Sequence, residues 1–218
     1  MLAMTTEQMK TAACAEIERR GDEAVRLART VLDSPEPGFR EQKTAKVVAD
    51  ALRGLDVPIE EGIALTGMKG MLRGGSSGPT VAVIGELDSL IVPHHPHADP
   101  ETGAAHACGH HCQLGAMLAV AIGLQAAGVM EGLSGGVALI AVPAEEYIEI
   151  EFREGLRRSG QIEFLGGKPE LVRLGKMDDV DMAMMTHTIP GPDGASFAVG
   201  GTNNGLLAKL IRFEGTAA

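Results

Sequence analysis

Apolar and polar positions alternate along the chain in blocks, and the spacing within a block switches between that of a helix and that of a strand. Residues 5–32 carry apolar positions at helical spacing on a charged segment, with Thr5 or Thr6 as the cap and two prolines and a glycine as the stop. A second block predicts a helix over residues 41–52 that ends at Gly54. The chain is therefore predicted to open with two helices.

Shorter apolar runs follow, and their length is that of buried strands. Thr80–Gly85 and Gly136–Val142 are continuous runs, as expected of strands covered on both faces. Asp181–Thr188 is predicted to be a third buried strand, and Ile59–Ile63 and Lys69–Arg73 are two short candidates. Strands that alternate with helices favour an α/β layered domain. The helices predicted between the strands are Gln113–Ala127, Ile148–Arg158 and Pro169–Leu174, and the glycine-rich residues 74–79 are predicted to form a loop.

Composition and charge limit what such a domain could do. Its 218 residues fit one large domain, or one domain with a fragment of another. The net charge of −10 argues against a nucleic-acid partner, because phosphate binding needs a basic face. No apolar run approaches the roughly 20 residues of a membrane span, and the start of the chain lacks the pattern of a secretory signal. The odd number of cysteines, 3, argues against a disulfide framework and favours a reducing cytoplasm.

Histidine and cysteine are concentrated in one segment. Of the 7 histidines, all but one lie within residues 94–111, which also contain Cys108. Thiolate and imidazole are strong ligands for zinc-like ions, and the spacing of Cys108 and His110 lets one loop present both to the same ion. A polar loop with solvated histidines is the alternative. The histidines of His94-His-Pro-His97 fit either a surface loop or a substrate rim.

Two carboxylates follow the predicted strand Gly136–Val142. Glu145 and Glu146 are adjacent, and neighbouring carboxylates at a buried strand end are costly unless a cation or a proton neutralises them. One of them could ligate an ion while the other takes a proton from water whose pKa the ion has lowered. The alternative is a helix N-terminus enriched in Glu.

Ligand-type residues also follow the other two predicted strands. Glu86 and Asp88 are two residues apart, so both can face one pocket, or they form a cap or a turn. His187 ends the third strand, where a merely hydrogen-bonded histidine is the alternative. Strand ends are where sites form in open α/β sheets, and one dinuclear metal site would account for all three. A nucleotide site is not indicated, because the loop at residues 74–78 lacks the lysine of a phosphate loop.

Four segments resemble, in order and spacing, the aminoacylase and carboxypeptidase superfamily of dinuclear metallohydrolases. They are Gly85-Glu-Leu-Asp-Ser-Leu90, His106-Ala-Cys-Gly-His110, Pro143-Ala-Glu-Glu146 and the strand-end His187. The nearest branch includes aminobenzoyl-glutamate hydrolase, N-acyl-amino-acid amidohydrolases and auxin-conjugate hydrolases. The resemblance implies an α/β fold: a layered αβα catalytic domain with a mixed, partly parallel sheet, zinc-peptidase-like and missing its C-terminal segment.

The resemblance also implies a role for each residue of the site. Glu145 would be the general base, and Asp88 would be the acidic residue near the metals that orients their ligands. Two divalent metal ions would be bound, and zinc, manganese and cobalt all suit a set of thiolate and carboxylate ligands. The metal ligands would be Cys108, His110, Glu146 and His187.

The chain departs from the family pattern in three places. Related amidohydrolases often follow the Cys-Gly-His string with Asp and a second His, where this chain has His111 and Gln113, and Pro93–Pro100 is an insertion. Family members are also longer, with an inserted lid domain and a last His ligand after it. The resemblance therefore predicts that residues 1–202 are the N-terminal part of the catalytic domain and 203–218 the start of a truncated lid. We expect the chain alone to bind metal weakly and to hydrolyse little.

Two functions fit this sequence. The first is a cytoplasmic, metal-dependent hydrolase of amide bonds in N-acyl or N-aroyl amino acids or small peptides. Its partners would be a small-molecule substrate and, in a full-length form, a second copy, without nucleic acid or membrane. The second is a non-catalytic metal-binding or interaction module derived from the same family.

Overall fold

The computed structural model describes residues 4–188, 211 and 213–216 of the chain. Two compact units are distinguished, Met1–Thr188 and Ile189–Ala218, and the fold given below is that of the first. The predicted boundary between residues 202 and 203 lies outside the described residues, as does most of the predicted lid segment over 203–218.

Helices and strands alternate along most of the first unit, as predicted. The helices are α1 (Thr6–Leu32), α2 (Gln42–Arg53), α3 (His110–Leu124), α4 (Val129–Gly132), α5 (Ile150–Arg158) and α6 (Gly167–Arg173). The strands are β1 (Ile59–Ile63), β2 (Gly67–Arg73), β3 (Ser76–Glu86), β4 (Leu90–Ile91), β5 (Ala104–Ala105), β6 (Ser134–Val142) and β7 (Met182–Met185).

The main sheet of the unit is mixed. Its strand order is β1-β2-β6-β3-β7, and β4 and β5 form a separate antiparallel pair. β3 runs parallel to both β6 and β7, whereas β2 is antiparallel to β1 and to β6. Parallel neighbours require long crossover connections, which α3, α5 and α6 supply. The predicted mixed, partly parallel sheet is confirmed.

Helices cover both faces of this sheet, and β6 shows why. Its side chains alternate, so that Leu139 and Ala141 join a core with residues of α1, α2 and α3. Ile140 and Val142 point the other way and join a second core that contains Leu171 of α6. A strand that is buried on both faces requires a continuous apolar run. The layered αβα architecture predicted for the chain is therefore confirmed.

The ends of the first two helices follow from their sequence. The Thr5 side chain accepts a hydrogen bond from the Gln8 amide at 3.3 Å, and the Gln8 side chain accepts one from the Thr5 amide at 2.8 Å. This reciprocal pair is a capping box, which satisfies two amides that the helix itself leaves unpaired. α2 ends at its C-cap Gly54, also as predicted.

Two predicted boundaries are wrong because of backbone features that composition hides. Residues 76–79 are not a loop but extend β3, since Ser76 pairs with Ser134 of β6 across an irregular register. α3 begins at His110 instead of Gln113, because Gly109 takes the left-handed φ of 91° and caps the helix there. The earlier start places the Cys-Gly-His string at the N-terminus of α3.

The third predicted strand is present, but it is not buried. β7 spans four residues, and within the described part of the chain Met182 and Met184 are 56% and 64% exposed. β7 pairs with β3 on one side and lies at the edge of the sheet formed by residues 4–188. An apolar run indicates a strand without distinguishing the centre of a sheet from its edge. None of the described helices is long and apolar enough to cross a membrane.

Candidate metal centre

The three strand ends that carry polar residues meet because β6, β3 and β7 are parallel neighbours. The register pairs Glu86 of β3 with Val142 of β6, so the segments that follow the two strands start side by side. β7 lies on the other side of β3, and His187 follows its last residue. Open α/β sheets form their sites at the carboxyl ends of parallel strands, and the polar residues of these three strand ends lie together there.

The glycine before α3 permits a close approach between the Cys-Gly-His string and the end of β7. A Cβ atom on Gly109 would lie 2.3 Å from the Thr188 hydroxyl oxygen, too close for any other residue. The Thr188 hydroxyl instead donates a hydrogen bond to the Cys108 carbonyl oxygen at 2.8 Å. This contact holds Cys108 beside His187, with the cysteine Sγ 3.4 Å from the histidine Nε2.

Cys108, His110 and His187 converge on one point. One ligand atom of each lies within 4.8 Å of the others, a separation that allows all three to bind one ion. Glu146 is near them, because its Oε1 lies 3.8 Å from His110 Nε2. The structure thus brings together the four residues predicted as metal ligands, whose roles remain predictions.

Asp88 is placed where it can orient His110. Its carbonyl oxygen lies 2.8 Å from His110 Nδ1, and its Oδ1 lies 3.4 Å from the same nitrogen. A proton on Nδ1, donated to Asp88, leaves Nε2 as the nitrogen that can bind a metal ion. Burial lowers the pKa of His110, but the carboxylates of Asp88 and Glu86 outweigh it and raise the pKa to about 11. Without a metal ion, both ring nitrogens of His110 therefore carry a proton at neutral pH.

Several buried polar atoms have no partner among residues 4–188. They include Asp88 Oδ1, His110 Nε2 and Glu146 Oε1. His110 Nε2 lies 3.0 Å from Glu86 Oε2, but without the geometry of a hydrogen bond. Unpaired buried polar atoms are costly, and a cation would satisfy those that can act as ligands. The thiol, imidazole and carboxylate donors also match the preferences of a zinc-like ion, so the residues fit the implied metal.

The state of Cys108 depends on the same cation. Burial, together with the neighbouring carboxylate of Glu146, raises the pKa of the Cys108 thiol to about 11. A thiol with that pKa stays protonated at neutral pH, whereas a metal ligand must be a thiolate. Metal binding would thus release a proton from Cys108.

A second group of converging side chains shares His110. Ligand atoms of Glu86, His110 and Glu145 lie within 4.8 Å of one another. The two groups share His110, whose free Nε2 can bind one ion, so they lie in one common centre. Glu86, noted in the sequence only as one of two strand-end carboxylates, is thus part of this centre.

Glu145 differs from its neighbours in its exposure. Its side chain is 34% exposed, whereas that of Glu86 is 1% exposed, so Glu145 faces the solvent side of the group. Burial, and then the negative charge of Glu86, raise the pKa of Glu145. A raised pKa suits a carboxylate that takes up a proton and releases it again. Glu145 precedes α5, which begins at Ile150, so the alternative of a helix N-terminus is wrong.

Lys168 is a member of the centre that the sequence did not reveal. Its Nζ contacts Glu86 Oε1 and lies 3.6 Å from Glu145 Oε1. Burial raises the pKa of Glu86, but the adjacent imidazole of His110 and the ammonium of Lys168 outweigh it and lower the pKa to about 2. Lys168 stands after two glycines, with no local pattern that marks it. It reaches the site only because α6 packs beside the end of β6.

Substituting Lys168 should therefore destabilise the metal-free protein at neutral pH. Lys168→Met leaves the buried Glu86 carboxylate with His110 as its remaining cation, and we expect a loss of about 1–2 kcal/mol, below the range for a fully buried pair. Because the Glu86 pKa is lowered, its stabilisation is complete above the unfolded value of 4.5 and is lost as the pH falls towards about 2. Urea unfolding in chelator at pH 7 and pH 3 should show a larger difference from wild type at pH 7.

Lys46→Met is the matched control for this experiment. Lys46 pairs with Asp50 on the surface of α2, and its side chain is 74% exposed. Exposed pairs of this kind contribute about 0.3–0.5 kcal/mol. Equal effects of the two lysine substitutions at pH 7 would contradict the assigned contact.

The remaining histidines lie outside both converging groups. His94, His95 and His97 lie between β4 and β5, and the nearest carboxylate oxygen to His97 Nδ1 is that of Asp33, at 3.8 Å. Burial lowers the pKa of His106 to about 3. All three cysteines, Cys14, Cys108 and Cys112, are free.

Comparison with known proteins gives the same family as the motifs. No protein-family model matches the chain. It is 32% identical over 170 residues to thermostable carboxypeptidase 1 of Saccharolobus solfataricus, covering 76% of this chain and 39% of that protein. It is 27% identical over 183 residues to N-acetyl-L-cysteine deacetylase of Bacillus subtilis, covering 83% of this chain and 39% of that protein.

A solved structure agrees with the fold. The YXEP protein of Bacillus subtilis, a dinuclear metal-binding peptidase of the M20 family, superposes with a TM-score of 0.61 at 23% identity. The match covers 76% of this chain and 42% of that one, so the chain spans less than half the length of the proteins it resembles. The chain is thus similar, over about 76% of its length, to carboxypeptidases and an amidohydrolase, and it has the fold of a dinuclear metal-binding peptidase.

Proposed function

We propose that the chain provides most of a dinuclear metal site for hydrolysis of the amide bond of an N-acyl or N-aroyl amino acid or a small peptide. The convergence of Cys108, His110 and His187 beside the half-exposed Glu145 is the observation that carries this proposal. Relatives named as a carboxypeptidase and as an N-acetyl amino-acid deacetylase support the bond type. Because the chain spans 39% of these relatives, activity would need to be measured on the chain itself.

The proposed ligands are Cys108, His110, Glu146 and His187. Divalent ions, when bound, would lower the pKa of water and polarise the carbonyl group of the scissile amide. Zinc or cobalt suits the thiolate, while manganese is tolerated by the carboxylates. A reducing compartment such as the cytoplasm is proposed because Cys108 must remain a free thiol.

Glu145 is the proposed general base, and it moves one proton in two steps. It accepts a proton from the attacking water as the new C–O bond forms, and it returns that proton to the leaving nitrogen as the C–N bond breaks. The amine and the carboxylic acid are the products. Asp88 acts earlier, by holding the ring of His110 through Nδ1. Lys168, 3.6 Å from Glu145, keeps the base next to a positive charge.

The experiment is a metal titration followed by an assay of amine release. Purified chain, stripped with chelator and titrated with zinc, cobalt or manganese, should bind metal weakly and approach two ions per chain at saturation. The loaded chain should then release amino acid slowly from N-acetyl or N-benzoyl substrates. Failure to bind any of the three ions would overturn the metal site. Binding without hydrolysis would favour the non-catalytic module.

A further inference from the structure

The short segment that carries Glu145 and Glu146 has an unfavourable backbone conformation. Ala144 takes φ 51°, in the left-handed region that non-glycine residues seldom adopt. The segment is neither strand nor helix, so no regular ladder holds it. Its geometry must come from contacts with other parts of the fold.

Arg153 of α5 supplies one half of that support. Its side chain is completely buried, and its guanidinium donates hydrogen bonds to the carbonyl oxygens of Ala144, at 3.2 Å, and Glu146. A third bond reaches the Leu165 carbonyl oxygen at 2.8 Å. Within the described residues all its hydrogen-bond acceptors are backbone oxygens, although buried arginines usually pair with carboxylates.

Two buried carboxylates supply the other half. Glu41 Oε1 accepts a hydrogen bond from the Ala144 amide at 2.7 Å, and Asp88 Oδ2 accepts one from the Glu146 amide at 2.9 Å. The amide and the carbonyl of both residues that flank Glu145 are thus all hydrogen-bonded to an acidic or a basic side chain. The three groups, Glu41, Asp88 and Arg153, are called the buried clamp below.

The fold makes room for the clamp at a glycine. A Cβ atom on Gly38 would lie 2.5 Å from an Arg153 guanidinium nitrogen and 2.8 Å from the Ala144 Cα. Arg153 also links the segment of Glu145 to that of Lys168, since it binds the carbonyl oxygen of Leu165 shortly before α6, and the Gly167 amide donates to the Ala144 carbonyl at 3.2 Å. One buried cation therefore fixes both the segment of Glu145 and the segment of its cationic neighbour.

We propose that Arg153 is a positioning residue, which fixes the backbone of residues 144–146 so that Glu146 faces the metal and Glu145 faces the substrate. The proposal rests on the metal site proposed above. Burying a guanidinium is expensive, and an apolar side chain of similar volume is often equally stable in its place. Stability alone therefore does not account for Arg153. Positioning does, because a guanidinium can bind three carbonyl oxygens in fixed directions.

The test compares Arg153→Met with Arg157→Met in the full chain. Arg157 lies on the same helix, its side chain is 52% exposed, and it pairs with Glu154 on the surface. Residues that support a metal ligand typically change affinity by about 10–100-fold. Zinc competition against a chromophoric chelator should give a loss of about tenfold or more for Arg153→Met, and no change for Arg157→Met.

Cobalt provides a readout that a purely structural role would not move. In Arg153→Met, the thiolate-to-cobalt absorption from Cys108 should persist while the d–d bands shift, because Glu146 alone is displaced. If Arg153→Met does not fold by circular dichroism, Arg153→Lys decides: it keeps the charge but not the three directed bonds, so the same spectral shift is expected. Wild type that binds no ion would refute the metal site itself. Wild-type affinity and an unchanged cobalt spectrum in the folded variant would refute the role of Arg153.

Discussion

Replacing Glu145 with glutamine should lower amide hydrolysis by the metal-loaded chain by about 10²–10⁴-fold, the range for loss of a general base. The amide of glutamine is close in size to the carboxylate, but it cannot accept a proton from water. Glu146 and the Cys-His ligands are untouched, so affinity for zinc should change little. The raised pKa of Glu145, caused by burial and by Glu86, is the property that the substitution removes.

Rate and affinity measured on the same preparation separate the two roles. Glu151→Gln is the control. Glu151 is exposed in the first turn of α5, so this substitution makes the same chemical change away from the centre. Loss of zinc affinity in Glu145→Gln would make Glu145 a ligand and not the base. Hydrolysis at the wild-type rate would remove it from the reaction.

Cys108→Ala should weaken zinc binding by about 100-fold or more, since it removes a direct ligand and exceeds the effect of losing a supporting residue. The thiolate is the softest donor of the set, and zinc prefers it. Of the protons that metal binding would displace from Cys108 and His110, whose pKa values are each about 11, the one from Cys108 would no longer be released. Calorimetry in two buffers of different ionisation enthalpy measures both quantities.

Cys112→Ala is the control for that substitution. Cys112 lies in the first turn of α3, is exposed, and has its Sγ 3.3 Å from His111 Nε2. It belongs to neither converging group among the described residues. Equal losses of affinity in the two variants would mean that the ligand set is misassigned.

Most of the fold could be predicted from the sequence because its determinants are local. The capping box at Thr5 and the glycine at 54 define helix ends within a few residues, and the apolar run of β6 reports burial on both faces. The start of α3 could not be found, since it depends on the left-handed φ of Gly109. The exposure of β7 also escaped prediction, because strand order within a sheet is a property of long-range pairing.

The site divides in the same way. Cys108, His110, Glu146 and His187 could be predicted as ligands because ligand chemistry and motif spacing are visible in the chain. Lys168 was not found, since its ion pair with Glu86 spans 82 residues and leaves no spacing to detect. Arg153 was missed for a different reason: its partners are carbonyl oxygens, which every residue possesses. Side chains that bind a metal ion or a substrate can be recognised in a sequence, whereas side chains that hydrogen-bond to the backbone cannot.

The position of β7 at the sheet edge gives the centre a mechanical property. Cys108, His110 and Glu146 belong to the body of the domain, whereas His187 follows a four-residue strand held by pairing to β3 alone among residues 4–188. Short edge strands fray readily, and fraying would carry His187 away from Cys108. An ion bound to both residues would stabilise the paired strand through its binding free energy. Metal binding at the site and pairing of β7 with β3 are thus linked equilibria, so a bound metal ion would keep β7 paired.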